Sequence, residues 1–311
     1  MPGMPIGPGH PDYSVTGTSQ FIPEIWSGKM QVKFYAETCI AEICNTDWEG
    51  EIRKMGDTVI IRSIPSITIN DYVVGQKLSY ERPQSPSLVL NVNKGKYWGI
   101  ELNDVMKVQS DLPLLDKWTD DAVRQLKIKV ETVFWSDSTV YAGCDPANMG
   151  ATAGARSASY NLGAAGAPLQ ITKANVLDVI VDAGTVLDEQ NIPEEGRWLV
   201  IPVWMAGLIK KSDLKDASLT GDGKSILRNG RIGMIDRFTL YASNLLYFVT
   251  DVGTCYYIPF GQKSGLSFAS QITETEKLRN PYDFGDIVRG LKVFGYKPTK
   301  PQAYGILYAK K

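Results

Sequence analysis

Gly221-Asp222-Gly223-Lys224-Ser225 is the stretch of this 311-residue chain whose residue types come nearest to a chemical motif. It looks like the end of a phosphate-binding loop, where backbone N–H groups and a lysine cradle a nucleotide. The full pattern needs glycine five residues before Gly223, and that position is Ser218, with no apolar strand ahead of it. Two glycines so close together read as a turn. His10 is the single histidine and sits in a Pro/Gly-rich tail, which removes most imidazole catalysis and most zinc chemistry. Cys39, Cys44, Cys144 and Cys255 contain no C-x-x-C pair and read as free, largely buried thiols in a reducing compartment. Glu194-Glu195 and Asp120-Asp121 are neighbours in sequence that need not face a common site, so paired-carboxylate chemistry has no support. There is no G-x-G-x-x-G after a strand and no G-x-S-x-G elbow. The expectation is a chain with no catalytic, cofactor-binding or metal-ligating residue: not an enzyme, and in need of no cofactor.

Composition narrows the remaining classes. Hydrophobic residues make up 43% and charged residues 22%, which places the chain among globular rather than disordered proteins. A formal net charge of -1 gives no global basic field for a sequence-specific nucleic-acid binder. Lys210-Lys211 and Lys310-Lys311 are small basic spots better read as solvated. No segment approaches the about 18 apolar residues of a membrane span, and the N-terminus lacks the basic and apolar regions of a secretory signal. These features favour a cytoplasmic origin.

The elements follow in chain order. Met1 to Gln20, with Pro2, Pro5, Pro8 and Pro11, cannot form a helix or a central strand and reads as an arm. Phe21 to Glu49 suggests one or two short helices. From Asp57, TVIIRSIPSITIND reads as strand with a break at Pro65, and Gly75 marks a turn. Pro83 and Pro86 exclude RPQSPS from a sheet interior. SLVLNVNKGKYWGIEL returns as strand, with Leu88, Leu90 and Val92 on one side. This β excursion has no helix to pack on, so a neighbouring subunit is its expected support. A long amphipathic helix then runs from Ser110 to about Val140, with Leu112, Leu115, Ala122, Leu126, Val130 and Val133 as its apolar stripe. Gly143 to Leu169 reads as a Gly/Ala-rich link. A helix capped by Thr172, with Val176, Ile180, Ala183 and Leu187 on one face, leads to the buried strand RWLVIPVW. MAGLIKKSDLKDA is expected as helix, Gly233 to Leu240 as strand, and TCYYIPFG, SGLSFASQI and the C-terminal stretch as further strands.

Several of these stretches resemble the major capsid proteins of tailed bacteriophages with the Hong Kong 97-type fold. GDTVIIRSIPSITINDYVVGQKLSYE is similar to the ascending part of that family's extended loop. LVLNVNKGKYWGIELNDVMKVQSDLPLLDKWTDDAV is similar to the descending strand leading into the spine helix. ANVLDVIVDAGTVLDEQNIPEEGRWLVIPVWMAGLI, NGRIGMIDRFTLYASNLL and VRGLKVFGYKPTKPQAYGIL resemble the helix and strands of the axial domain. None is a short diagnostic motif; their collinear order over nearly the whole chain carries the resemblance.

The resemblance implies an α+β fold with an N-terminal arm over 1–48, an extended β-loop over 49–100, and a peripheral domain with spine helix and linker over 101–169. An axial domain over 170–275 and C-terminal strands over 276–311 complete it. It also implies self-assembly into hexamers and pentamers of an icosahedral or prolate shell, made in the host cytoplasm and ending in the virion. The implied partners are other copies of the chain, a scaffolding protein, a portal, a decoration protein and packaged double-stranded DNA held non-specifically, with no membrane. Some members carry a long N-terminal scaffolding segment that a protease removes. Only Met1 to Gln20 precede the match here, so the expectation is that it is absent or that this is the processed form, and Met1 favours the former. Flexing of the link and arm would let one chain occupy both ring types. Deleting Ile60 to Val92 is expected to leave a folded core that makes no shells. The alternatives are an encapsulin-like nanocompartment shell, a tail or adaptor protein, and a cytosolic nucleotide-binding enzyme built on Gly221 to Ser225.

Overall fold

The computed structural model describes residues 35–36, 38–48, 58–104, 114–212 and 233–311. His10, the Gly221 to Ser225 turn and the first residues of the expected spine helix lie outside them. The elements are helix α1 (Ile40–Ile43), strands β1 (Thr58–Arg62), β2 (Ser87–Asn91) and β3 (Lys94–Asn103), helices α2 (Leu114–Ser136) and α3 (Ser138–Tyr141), and strand β4 (Leu169–Gln170). Helix α4 (Val176–Glu189), strand β5 (Arg197–Ile201) and helix α5 (Val203–Lys211) follow. The chain closes with β6 (Met234–Ile235), β7 (Phe238–Ala242), β8 (Phe248–Asp251), β9 (Gly253–Gln262), β10 (Leu266–Arg279), β11 (Gly285–Pro298) and β12 (Tyr304–Lys310). The architecture is α+β.

Three sheets organise these strands. A seven-stranded mixed sheet has the order β4-β12-β9-β5-β7-β6, with β8 also paired to β9. Strand β5 is buried along its whole length because both faces of this sheet are covered. Alternation divides its side chains: Leu199 and Ile201 join a core with Val176, Ile180, Ala183 and Leu187 of α4 and with Met205 of α5. Trp198 and Val200 point the other way, into a second core with Phe134 and Trp135 of α2 and Phe294 and Tyr296 of β11. Thus the end of the spine helix and the mixed sheet share one hydrophobic core.

The long antiparallel sheet β10-β11-β3 carries the spine helix, and β1-β2 form a separate two-stranded ribbon. The expected single strand from Leu88 to Leu102 is therefore two. Strand β2 pairs with β1, whereas β3 pairs with β11, and the chain changes sheets at Val92 and Asn93. Leu90 and Val92 are buried on the expected side, against Ala269. Among the described residues the spine runs from Leu114 to Ser136 and stops four residues before Val140, its expected limit. Asp137 leaves helical geometry, and its carboxylate accepts from Thr139 N at 2.9 Å to start α3.

Three other expectations are corrected. Gly143 to Leu169 is no free link: Leu162 is fully buried, and Tyr308 N donates to Leu162 O at 2.8 Å. Gly163 lies so close to β12 that a Cβ would sit 2.0 Å from Tyr308 O, so small residues serve close packing here rather than flexibility. The cap of α4 is Asn175 rather than Thr172, whose N–H instead donates to Asn175 Oδ1 at 2.7 Å. Gly233 to Leu240 is a hairpin, not one strand, turning through Asp236 and Arg237 with φ of 43° and 65°. Arg237 is held there by Asp188 at 2.9 Å and Glu194 at 2.6 Å, which offsets the cost of the left-handed backbone.

Candidate assembly surface

Residues 63–86, between β1 and β2, form an extended loop with almost no regular pairing. Its two limbs touch at isolated points. Ser63 N donates to Pro86 O at 3.1 Å, and Thr68 N to Glu81 Oε1 at 2.7 Å. At the tip Gln76 N closes a turn on Val73 O at 3.1 Å, with Gly75 at φ 87°. Pro65, Pro83 and Pro86 lack the donors a ladder would need, which explains why strand-like residues form no strand. The loop presents its apolar side chains to solvent: Ile64 is 93% exposed, Ile69 90%, Val74 88% and Tyr80 87%. Burying each would gain about 2 kcal/mol, so an uncovered state is costly and a partner surface is implied.

The spine helix shows the same incompleteness. Val130, Phe134 and Trp135 are buried, but Ala122 and Leu126, nearer its start, are only half-buried. They line an apolar cleft of about 470 Å³ between the helix and β3, with Trp98, Ile100 and Trp118. A further aromatic pair, Tyr282 at 97% and Phe284 at 78% exposure, stands on the turn between β10 and β11. Large apolar residues are thus displayed along β3 and at the β10–β11 turn of the three-stranded sheet.

The N-terminal segment is tied to the spine by Glu131. This carboxylate is 1% exposed and accepts from Cys39 N at 2.8 Å, Cys39 Sγ at 3.3 Å and Trp135 Nε1 at 3.3 Å. It supplies the acceptor that the first N–H groups of α1 otherwise lack. Farther along, Tyr35 OH donates to Asp121 Oδ1 at 2.7 Å, so the segment follows the helix back toward its start. Burial pushes the Glu131 carboxyl up, with the hydrogen bonds from Cys39 and Trp135 acting against that rise. Its folded value lies above the ordinary one, so the proton-linked part of its contribution is complete below the ordinary range and is lost as pH rises through the folded value. The hydrogen bonds from Cys39 and Trp135 persist. Glu131→Ala is expected to cost about 3 kcal/mol and to abolish amide exchange protection at residues 40–43 while leaving β5 protected. Hydrogen exchange with mass spectrometry checks this.

The residues considered for chemistry are dispersed. All four cysteines are free and buried. Burial, with help from Glu131, pushes the Cys39 thiol up; burial does the same for Cys44 and takes Cys144 to about 12. Such thiols remain protonated and are poor nucleophiles. Glu194 is spent on Arg237, and Asp121 on Tyr35. Among the described residues no group of acidic, histidine and cysteine side chains is arranged to hold a metal ion. No described helix is long and apolar enough to cross a membrane. The surface features that stand out are apolar and aromatic, and sequence reasoning missed Glu131, Tyr282 and Phe284. Glu131 sits between Val130 and Val133 of the apolar stripe, and that position was the available signal.

This arrangement, a mixed sheet joined through a spine helix to a long hairpin sheet and an uncovered loop, is the Hong Kong 97-type fold of tailed-phage capsids. Solved structures agree. A Mycobacterium phage Che8 structure is similar with a TM-score of 0.72 and 24% identity, covering 92% of this chain and 96% of that one. The capsid structure of Cyanophage P-SCSP1u gives 0.71 and 13% identity over 97% of both chains. The capsid of the native GTA particle gives 0.66 and 11% identity over 97% of this chain and 99% of that one. Comparison with curated proteins returns no match. A family model described as phage capsid protein matches residues 89–308, most of the sequence. The chain belongs to the phage capsid protein family, whose members are structural proteins.

Proposed function

We propose that this chain is a major capsid protein whose copies assemble as hexamers and pentamers into a closed icosahedral or prolate shell around the double-stranded DNA of a tailed phage. The observation that carries the reading is the exposed apolar loop of residues 63–86, which finds no cover within its own chain. An exposed loop and an apolar cleft elsewhere on the subunit favour a head-to-tail contact, and such contacts close into rings where the rotation between neighbours closes. Folding of the loop and association of subunits are then coupled. Assembly in the host cytoplasm, with a scaffolding protein, a portal and a decoration protein, belongs to the same reading, as does non-specific contact with DNA.

The division into arm, loop, peripheral and axial parts is part of the proposal. Strand β10 crosses residue 275 without a break, so we place that limit at its bulge, between Ser270 and Ile272. Negative-stain imaging of the purified protein, alone and with the scaffold, tests the function. Closed shells are expected. A compact monomer under every condition would overturn it.

A further inference from the structure

We propose that Lys94, Asp137 and Tyr296 form a lock that fixes the direction in which the β1–β2 ribbon leaves the body, and so act as positioning residues for assembly. The inference rests on the shell-forming reading, because the ribbon carries the loop that reaches a neighbour. The three residues come from the three elements that meet at the ribbon's root. Lys94 opens β3, separated from β2 only by Val92 and Asn93. Asp137 is the residue at which the spine ends, and Tyr296 stands on β11.

Their geometry is mutual. The Lys94 ammonium donates to Asp137 Oδ2 and to Tyr296 OH, the latter at 2.6 Å, and lies 4.1 Å from the centre of the tyrosine ring. The single hydroxyl proton of Tyr296 has Asp137 Oδ2 at 2.8 Å and Val133 O at 3.3 Å within reach. The side chains of Lys94 and Asp137 are 31% and 19% exposed, so solvent screens this pair less than a surface pair. Burial drives the Asp137 carboxyl upward, but the bonds from Lys94, Thr139 and Tyr296 together overcome this and hold it well below the usual range.

Little else gives the ribbon a direction. Its apolar attachment is the cluster of Leu90 and Val92 on Ala269, with Val59, Ile61 and Val293 packed against it, and apolar contacts are not directional. Lys297 Nζ donates to Val89 O at 3.0 Å, but from an exposed position. Gly295 only permits the approach: a Cβ there would lie 2.1 Å from Asn91 O. Charge-assisted hydrogen bonds have the angular preference that this cluster lacks. The lock therefore joins the end of the spine to β3 and β11 of one sheet, at the point where the chain leaves β3 for the ribbon.

The test is a distance distribution between spin labels at Arg62→Cys on the ribbon and Lys173→Cys on the body, in unassembled subunits. All four native cysteines are buried, so labelling is confined to the introduced pair. The parent is expected to give one narrow distribution. Lys94→Met and Asp137→Asn should broaden it about twofold, and asparagine keeps the capping oxygen for α3, so loss of the cap is not the cause. Lys94→Arg, which keeps charge and donors, should restore the parent width, and assembled Lys94→Met should yield shells of several diameters. Parent-like widths in Lys94→Met and Asp137→Asn, even with a lower thermal midpoint, would overturn the lock. So would a broad parent distribution. If no variant or parent forms shells, the shell-forming reading fails while the label distances still decide the lock.

Discussion

Replacing residues 64–84 by a short glycine-serine turn is expected to give a folded, soluble subunit that forms no shells. The excision removes Ile64, Ile69, Val74 and Tyr80, which contribute exposed apolar surface and no part of the subunit's own core. Thermal stability should therefore move by less than about 1 kcal/mol, while association loses several side chains worth about 2 kcal/mol each. Because weak contacts add around a ring, even part of that loss suffices to prevent closure. Sedimentation velocity and imaging check both halves. Shells of normal diameter would show that the loop is not the joining element. The wider deletion suggested by sequence alone, Ile60 to Val92, is the poorer experiment. It also removes Leu90 and Val92, which are buried against Ala269, so it would damage the subunit as well as the contact.

Arg197→Ala is the substitution expected to cost most inside the subunit. The guanidinium, on a residue only 1% exposed, donates to Asp188 Oδ1 at 2.7 Å, Ile192 O at 2.6 Å, Pro193 O at 3.0 Å and Gly184 O at 3.3 Å. It ties the C-terminal end of α4 and the following turn to the central strand β5. Removing it takes a donor from the Ile192 and Pro193 carbonyls and leaves Asp188 with Arg237 as its remaining basic partner among the described residues. A loss of about 3–5 kcal/mol is expected, because one partner of a buried charged network has gone. In a chain of 311 residues that corresponds to a fall of roughly 5–8 °C in thermal midpoint. Calorimetry of the unassembled subunit measures it. An unchanged midpoint would mean that water substitutes for the arginine.

Much of the fold was legible because periodicity survives wherever a face is buried within the chain. Val176, Ile180, Ala183 and Leu187 repeat at helical spacing and are all buried. RWLVI, apolar without alternation, is a strand covered on both faces. The less legible parts each have a local cause. The turn at Asp236 and Arg237 uses left-handed backbone without glycine, stabilised by ion pairs from residues distant in sequence. The break at Val92 and Asn93 leaves the alternation intact, since Leu90 and Val92 still point the same way while the partner strand changes. The Gly/Ala-rich stretch has the composition of a linker, yet small residues also allow a loop to lie flush on a sheet, as Gly163 does. The assembly surface was legible as a misfit: strand-forming residues interrupted by prolines, with too little chain nearby to cover them. Its anchors were less so: Glu131 shows only as a charge inside the apolar stripe, and Asp137 and Lys94 act through contacts that no spacing encodes.

The distribution of burial along the spine has a mechanical consequence. Val130, Phe134 and Trp135 seat its last turns in the shared core, whereas Ala122 and Leu126 border an open cleft. The helix is thus a lever with its fulcrum near Asp137. With 23 residues at about 1.5 Å each, it is about 34 Å long. A tilt of about 10° at the fulcrum then carries the far end about 6 Å, roughly one helical turn. A shell built from such levers can change curvature by small rotations at buried, well-packed roots. The compact sheet beneath need not rearrange.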